Sequence, residues 1–172
     1  MTLYERILED EFQKLSPLIQ KMHRYQGQQV CEGTVQVIRG KSLVAKLLNI
    51  LMQLPKAQKN AALRLELKAE ENKELWKRTF GTETFYTRQE QFGKQMMEQV
   101  GWVKMYFEVY VQNSKMHTVL KKTTVLGIPV PKRLRVNIVS LVKEEDEKVA
   151  FSVKVSSFGS KPVIHYAGLI EL

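Results

Sequence analysis

The stretch Trp102-Val103-Lys104-Met105-Tyr106-Phe107-Glu108-Val109-Tyr110-Val111 decides the fold class of the chain. Val103, Met105, Phe107, Val109 and Val111 alternate with Trp102, Lys104, Tyr106, Glu108 and Tyr110. A period of two is the mark of a strand, here with one aliphatic face and one aromatic, charged face. The same alternation returns at Val149, Phe151, Val153 and Val155, and strand-like runs fill 116–126, 136–142 and 163–170. The connectors are Gln112-Asn113-Ser114, Leu126-Gly127-Ile128-Pro129-Val130-Pro131, Glu144-Glu145-Asp146-Glu147 and Phe158-Gly159-Ser160. Most are too short to hold a crossover helix, so neighbouring strands are expected to pair antiparallel.

Residues 61–70 alternate as cleanly, with Leu63, Leu65, Leu67 and Ala69 against Arg64, Glu66, Lys68 and Glu70, the pattern of a half-buried strand. Glu71-Asn72-Lys73 turns the chain, 75–80 runs back, and 82–92 and 95–100 read as further strands. At the start, Leu3, Ile7, Leu8, Phe12, Leu15, Leu18, Ile19 and Met22 form the stripe of an amphipathic helix. Ser16-Pro17 splits it in two, with Ser16 as N-cap and Pro17 at the first position of the second helix. Gly27 ends this unit, and 30–38 is the first strand.

Arg39-Gly40-Lys41-Ser42 follows that strand and opens a helix, as a phosphate-binding loop would. The glycine such a loop requires five residues before Gly40 is Val35 here, so the segment reads as a turn with Ser42 capping the next helix. That helix, 43–54, is apolar on most of its circumference, which implies burial on more than one side or a greasy flap over an opening. Pro55 stops it.

The expected architecture is a single α+β domain over 1–172. N-terminal helices accompany a strongly curved antiparallel meander of about seven to nine strands, wrapped around the apolar 43–54 helix in the manner of helix-grip folds. The alternative is a closed barrel of calycin type. Lys and Arg number 27 against 18 Asp and Glu, a net charge of +9. The cations are spread along the chain with no basic helix, zinc spacing or aromatic RNA-binding signature, so nucleic acid is not an expected partner. One cysteine, Cys31, excludes an internal disulfide and suits the cytoplasm. The opening residues lack the regions of a signal peptide, and no apolar run approaches the roughly 18 residues that span a bilayer.

Trp76, Arg78 and Phe80 lie two apart and so share one side of a strand. If the two rings face the core, Arg78 faces it as well, and a guanidinium taken out of water needs a partner. Glu83 and Glu98 are the carboxylates near enough in sequence, and an anionic ligand is the other solution. A second candidate surface is the aromatic face of the central strand, Trp102, Tyr106 and Tyr110, joined by His117 across the turn; it suits an apolar pocket and an exposed sheet face equally. No catalytic set, metal site or cofactor motif emerges. His23, His117 and His165 are far apart, Ser114, Ser140 and Ser156 lack an elbow motif, and His165 reads as a structural strand residue.

Taken in order, Leu3-Tyr4-Glu5-Arg6-Ile7-Leu8, Trp76-x-Arg78-x-Phe80, Glu98 shortly before Gly101, the 126–131 segment and Tyr166-x-Gly168-x-Ile170 resemble a bacterial domain of unknown function. That family occurs alone, in multi-domain membrane proteins, and fused behind saccharopine-dehydrogenase-like reductase domains. Ser152 stands where the family has an aspartate. The resemblance implies a fold and a boundary, and carries no catalytic residue. The expected function is non-enzymatic binding of a small apolar or lipid-like ligand between sheet and helix. Arg78 would act as anion anchor, with Trp76, Phe80, Glu98, Trp102, Tyr106, Tyr110 and His117 as the other ligand-binding residues. One alternative is a module that docks on a reductase or an anionic membrane surface through the 43–54 helix and Lys132, Arg133 and Arg135. The other is an isomerase- or cyclase-like enzyme using the same cavity.

Overall fold

In the computed structural model, which describes residues 1–51, 54–70, 73–157 and 161–172, the alternating runs are strands. Two short helices, α1 (Leu3–Leu8) and α2 (Pro17–His23), are joined by a 3-10 segment (Glu9–Lys14). Then come β1 (Gly27–Arg39), α3 (Leu43–Leu51), β2 (Gln58–Glu70), β3 (Lys73–Phe80), β4 (Glu83–Phe92), β5 (Gln95–Val100) and β6 (Val103–Gln112). The chain ends with β7 (Lys115–Val125), β8 (Ile128–Pro129), β9 (Asn137–Glu145), β10 (Lys148–Ser156) and β11 (Pro162–Glu171). The expected turns at Glu71-Asn72 and Phe158-Gly159-Ser160, and the 52–53 end of the apolar helix, lie outside the described residues.

Each strand pairs antiparallel with the next, β9 follows β7 directly, and β11 returns to β1 over Glu32↔Glu171 to Arg39↔Ile164. The result is a closed barrel of ten strands, with the two-residue β8 appended to the end of β7. An open meander wrapped around an apolar helix is therefore corrected: the sheet closes on itself, and α3 lies outside it. Closure pairs the free backbone groups of the first and last strands, which an open sheet would leave exposed. Short hairpins hold the order: Asn113-Ser114 (φ 52° and 59°) and Asp146-Glu147 (φ 49° and 59°) take the left-handed geometry whose twist matches paired strands.

Alternation now becomes inside and outside. On β6, Met105, Phe107 and Val109 are buried within, while Lys104, Glu108 and Tyr110 are exposed without. The outer wall is charged and laced with ion pairs such as Lys77–Glu66 (2.7 Å) and Lys121–Glu108 (2.5 Å). One end is stoppered by α1, the 3-10 segment and α2, with Phe12 of the 3-10 segment and Ile19 of α2 fully buried. The Ser16 amide donates to the Ser114 carbonyl (3.2 Å), and Arg6 Nε donates to Gln91 Oε1 (3.2 Å), tying the stopper to the hairpins at that end. Ser16 and Pro17 open α2 at the predicted positions.

At the other end, the mouth, α3 sits beside β11. The Ala45 amide donates to the capping Ser42 Oγ (3.1 Å), and Asn49 Nδ2 donates to the Val163 carbonyl (3.3 Å). Arg39 Nε reaches the Pro55 carbonyl (2.8 Å) and fastens the return of this connection.

The Tyr166-x-Gly168-x-Ile170 motif has a packing reason. Gly168 faces inward opposite Phe151, and a Cβ there would fall on the Thr34 carbonyl and within 3.0 Å of the Phe151 ring. Gly168→Ala should destabilise the fold by about 1–3 kcal/mol, the usual cost of overpacking. Urea unfolding checks this; an unchanged midpoint would show that the two strands separate there at no cost.

Candidate functional site

β3 carries Glu74, Trp76, Arg78 and Phe80 on its inward phase, and the barrel interior beside them is a cavity of about 540 Å³. Its walls are mostly apolar, with Phe80, Met96, Met105, Phe107, Met116 and Phe151 among them. One patch is polar. Arg78 Nη1 donates to Thr87 Oγ1 (2.7 Å) and, with Nη2, to Glu98 Oε1 (3.2 Å each), and the two charged side chains are each only 14% exposed. Gln89 Nε2 also donates to Glu98 Oε1 (3.3 Å), and the Tyr4 hydroxyl donates to Gln89 Oε1 (3.0 Å). The guanidinium lies over the Trp76 ring (4.7 Å to its centroid) and near Phe85 (5.5 Å), so its plane is held by aromatic faces as well as by hydrogen bonds.

The strand phases explain this convergence. Phe85, Thr87 and Gln89 are the inward positions of β4, and Met96, Glu98 and Val100 those of β5, so consecutive strands place Arg78, Thr87 and Glu98 side by side. Among the described residues, Glu98 Oε2 and Arg78 Nε make no hydrogen bond, leaving an acceptor and a donor on the ion pair. Tyr166 stands across the cavity, edge-on to Phe80 (5.7 Å), its hydroxyl pushed up to about 12 by burial.

Of the sequence-predicted residues, Trp76, Arg78, Phe80 and Glu98 meet in this interior, and Glu98, not Glu83, pairs with Arg78. Glu83 instead accepts from the Lys56 amide (2.6 Å). Trp102, 73% exposed, stands at the mouth and lines the cavity entrance. Tyr106, Tyr110 and His117 lie on the outer wall, because the aliphatic phase of β6 faces in. Tyr106 packs edge-on against Phe92 (5.0 Å), and Tyr110 stacks on His117 (5.0 Å). His165 hydrogen-bonds Ser152 (3.0 Å) across the outward phase of β10 and β11.

Sequence reasoning missed Tyr4, Thr87, Gln89 and Tyr166, although polar residues on the inward phase of β4 are a readable signal. It also missed His23, which lies beneath the cavity, 1% exposed, 4.0 Å from the Tyr4 ring and 6.2 Å from Trp76. Neither of its ring nitrogens has a partner among the described residues, and burial pushes the imidazole down to about 3. Glu74 nearby is buried too, accepting from Trp76 Nε1 (2.9 Å), and desolvation holds its carboxyl above the usual range. Cys31 is buried and its thiol is pushed up, the opposite of an activated nucleophile. Among the described residues, no group of His, Cys, Asp and Glu side chains is placed to hold a metal.

The family described as "Domain of unknown function (DUF4166)" matches residues 15–170. No curated protein and no solved structure matches the chain.

Proposed function

We propose that this chain, which belongs to that domain-of-unknown-function family, binds a small, largely apolar molecule with one uncharged polar end inside its barrel. The observation that carries the reading is a charged polar patch, Arg78–Glu98 with Thr87, in a mostly apolar cavity stoppered at one end. About 540 Å³ falls within the 300–1,000 Å³ range of small-molecule pockets, and a few convergent polar groups in apolar walls are what orients such ligands. The ion pair also revises the ligand's chemistry. Arg78 is already neutralised by Glu98, so a hydroxyl or carbonyl can use the free acceptor and donor, whereas a carboxylate would meet the Glu98 charge. Arg78 is thus an orienting group and not a free anion anchor.

The binding reading is tested by displacement of a neutral solvatochromic dye. 1-Dodecanol should displace it at one site per chain, with dodecanoate about tenfold weaker, a difference of roughly 1.4 kcal/mol. Absence of saturable dye or alcohol binding would overturn the reading.

A further inference from the structure

The mouth of the barrel is apolar where a soluble surface should be polar. α3 is turned inside out: it buries Ala45 and Asn49 against the barrel and exposes Leu43 (83%), Val44 (53%) and Leu47 (65%). On the opposite side of the same opening, Trp102, Leu126, Ile128 and Leu134 are exposed by 66–75%. The Leu126 amide donates to the Trp102 carbonyl (3.1 Å), which joins the two apolar turns on that side. Apolar side chains on two facing sides of a ring suit a plane, not a groove-filling segment.

Charge at this end points to the chemistry of that plane. Among the described residues, 40–51, 54–57, 81–83, 101–102, 126–136, 157 and 161 lie at the mouth, and they carry Lys41, Lys46, Lys56, Lys132, Arg133, Arg135 and Lys161. The one acid there is Glu83, which is paired with Lys56 (3.2 Å). The stoppered end is mixed in sign: Glu5, Glu9, Asp10 and Glu11 are matched by Arg6, Lys14, Lys21 and Arg24, and the acidic turn Glu144, Glu145, Asp146 and Glu147 shares that end with Lys94 and Lys115. Excess positive charge is therefore concentrated at the mouth, where the exposed hydrophobics Leu43, Val44, Leu47, Trp102, Leu126, Ile128 and Leu134 also gather. The charged outer wall cannot enter hydrocarbon, and among the described residues no helix is long and apolar enough to cross a membrane, so contact would be confined to the rim.

We infer that the mouth seats on the surface of an anionic phospholipid bilayer, Leu43, Val44, Leu47, Trp102, Leu126 and Ile128 entering the interface while the cations meet the headgroups. The docking stands on the rim alone; passage of a ligand between bilayer and cavity through it rests on the binding reading above.

The test is flotation of the full chain with vesicles of phosphatidylcholine alone and of phosphatidylcholine with 30% phosphatidylglycerol. The anionic vesicles should bind it at least tenfold more tightly, and binding should weaken as salt rises. Leu47→Ser with Leu126→Ser and Ile128→Ser, all at exposed positions outside the cavity lining, should abolish flotation, and so should Lys132→Glu with Arg133→Glu. Both variants should still bind 1-dodecanol in the dye assay, which also shows that they fold. Equal binding to both vesicles, flotation untouched by either variant, or a wild-type dimer that the serine variant makes monomeric would overturn the inference. Loss of alcohol binding with flotation intact would strike only the cavity reading.

Discussion

Arg78→Met should unfold at markedly lower urea than the wild type, with a loss of about 3 kcal/mol. Removing one member of a buried ion pair strands the other, at about 3–5 kcal/mol. The 14% exposure of both side chains toward the cavity places this pair at the low end of that range. Glu98 would keep only the Gln89 amide, and Thr87 would lose its charged donor. The companion Arg78→Met/Glu98→Gln removes both charges and should recover most of the loss, giving a coupling energy of about 2 kcal/mol in the double-mutant cycle. Additive effects in that cycle would mean that the pair contributes nothing as a pair. The double variant is also the useful probe of function: it should retain a folded barrel while losing its preference for alcohols over alkanes of equal length.

His23→Leu should make the fold much less sensitive to acid. The imidazole titrates near 6.5 when unfolded and is pushed down to about 3 when folded, so the unfolded chain takes up a proton that the folded one refuses. Its stabilising effect is complete above pH 6.5 and drains away as pH falls toward 3. At 1.36 kcal/mol per pH unit, the two units from 6.5 to 4.5 amount to roughly 2–3 kcal/mol. Leucine loses no hydrogen bond, since neither ring nitrogen makes one among the described residues. Glu74, whose carboxyl is held high, acts in the opposite direction and is present in both proteins, so the difference between them isolates His23. Urea unfolding at pH 7 and pH 4.5 should show the leucine variant gaining about 2–3 kcal/mol over the wild type between the two conditions. Parallel pH profiles would mean that the histidine finds a proton acceptor in the fold.

Strand positions were legible because period-two alternation is a local signal: 102–111, 61–70 and 149–155 each became a strand with the aliphatic phase inside. Closure was not legible, since it depends on β1 finding β11 across more than a hundred intervening residues, with no local mark of that pairing. Closure decides two points that the alternation alone left open. The aromatic phase of β6 was free to face either way until closure turned Val103, Met105 and Phe107 inward, sending Tyr106 and Tyr110 out. The 43–54 helix, apolar nearly all round, invited burial inside the sheet, yet closure of the ten strands leaves it only the rim. Arg78, by contrast, was readable from its two aromatic neighbours alone, and Glu98 follows once β5 is placed in phase with β3 through β4. His23 carried no signal, because a single histidine on an amphipathic helix looks the same whether it meets water or the underside of a cavity.

The methionines offer the most direct view of the interior. Met96, Met105 and Met116 line the cavity, whereas Met97 is on the outward phase of β5 and Met1 is exposed. With the methyl groups of methionine labelled with carbon-13, addition of 1-dodecanol should shift the Met96, Met105 and Met116 resonances and give cross-relaxation to the alkyl chain, leaving Met1 and Met97 in place. Shifts confined to Met1 and Met97, or none at all under saturating alcohol, would contradict a barrel that takes its ligand inside.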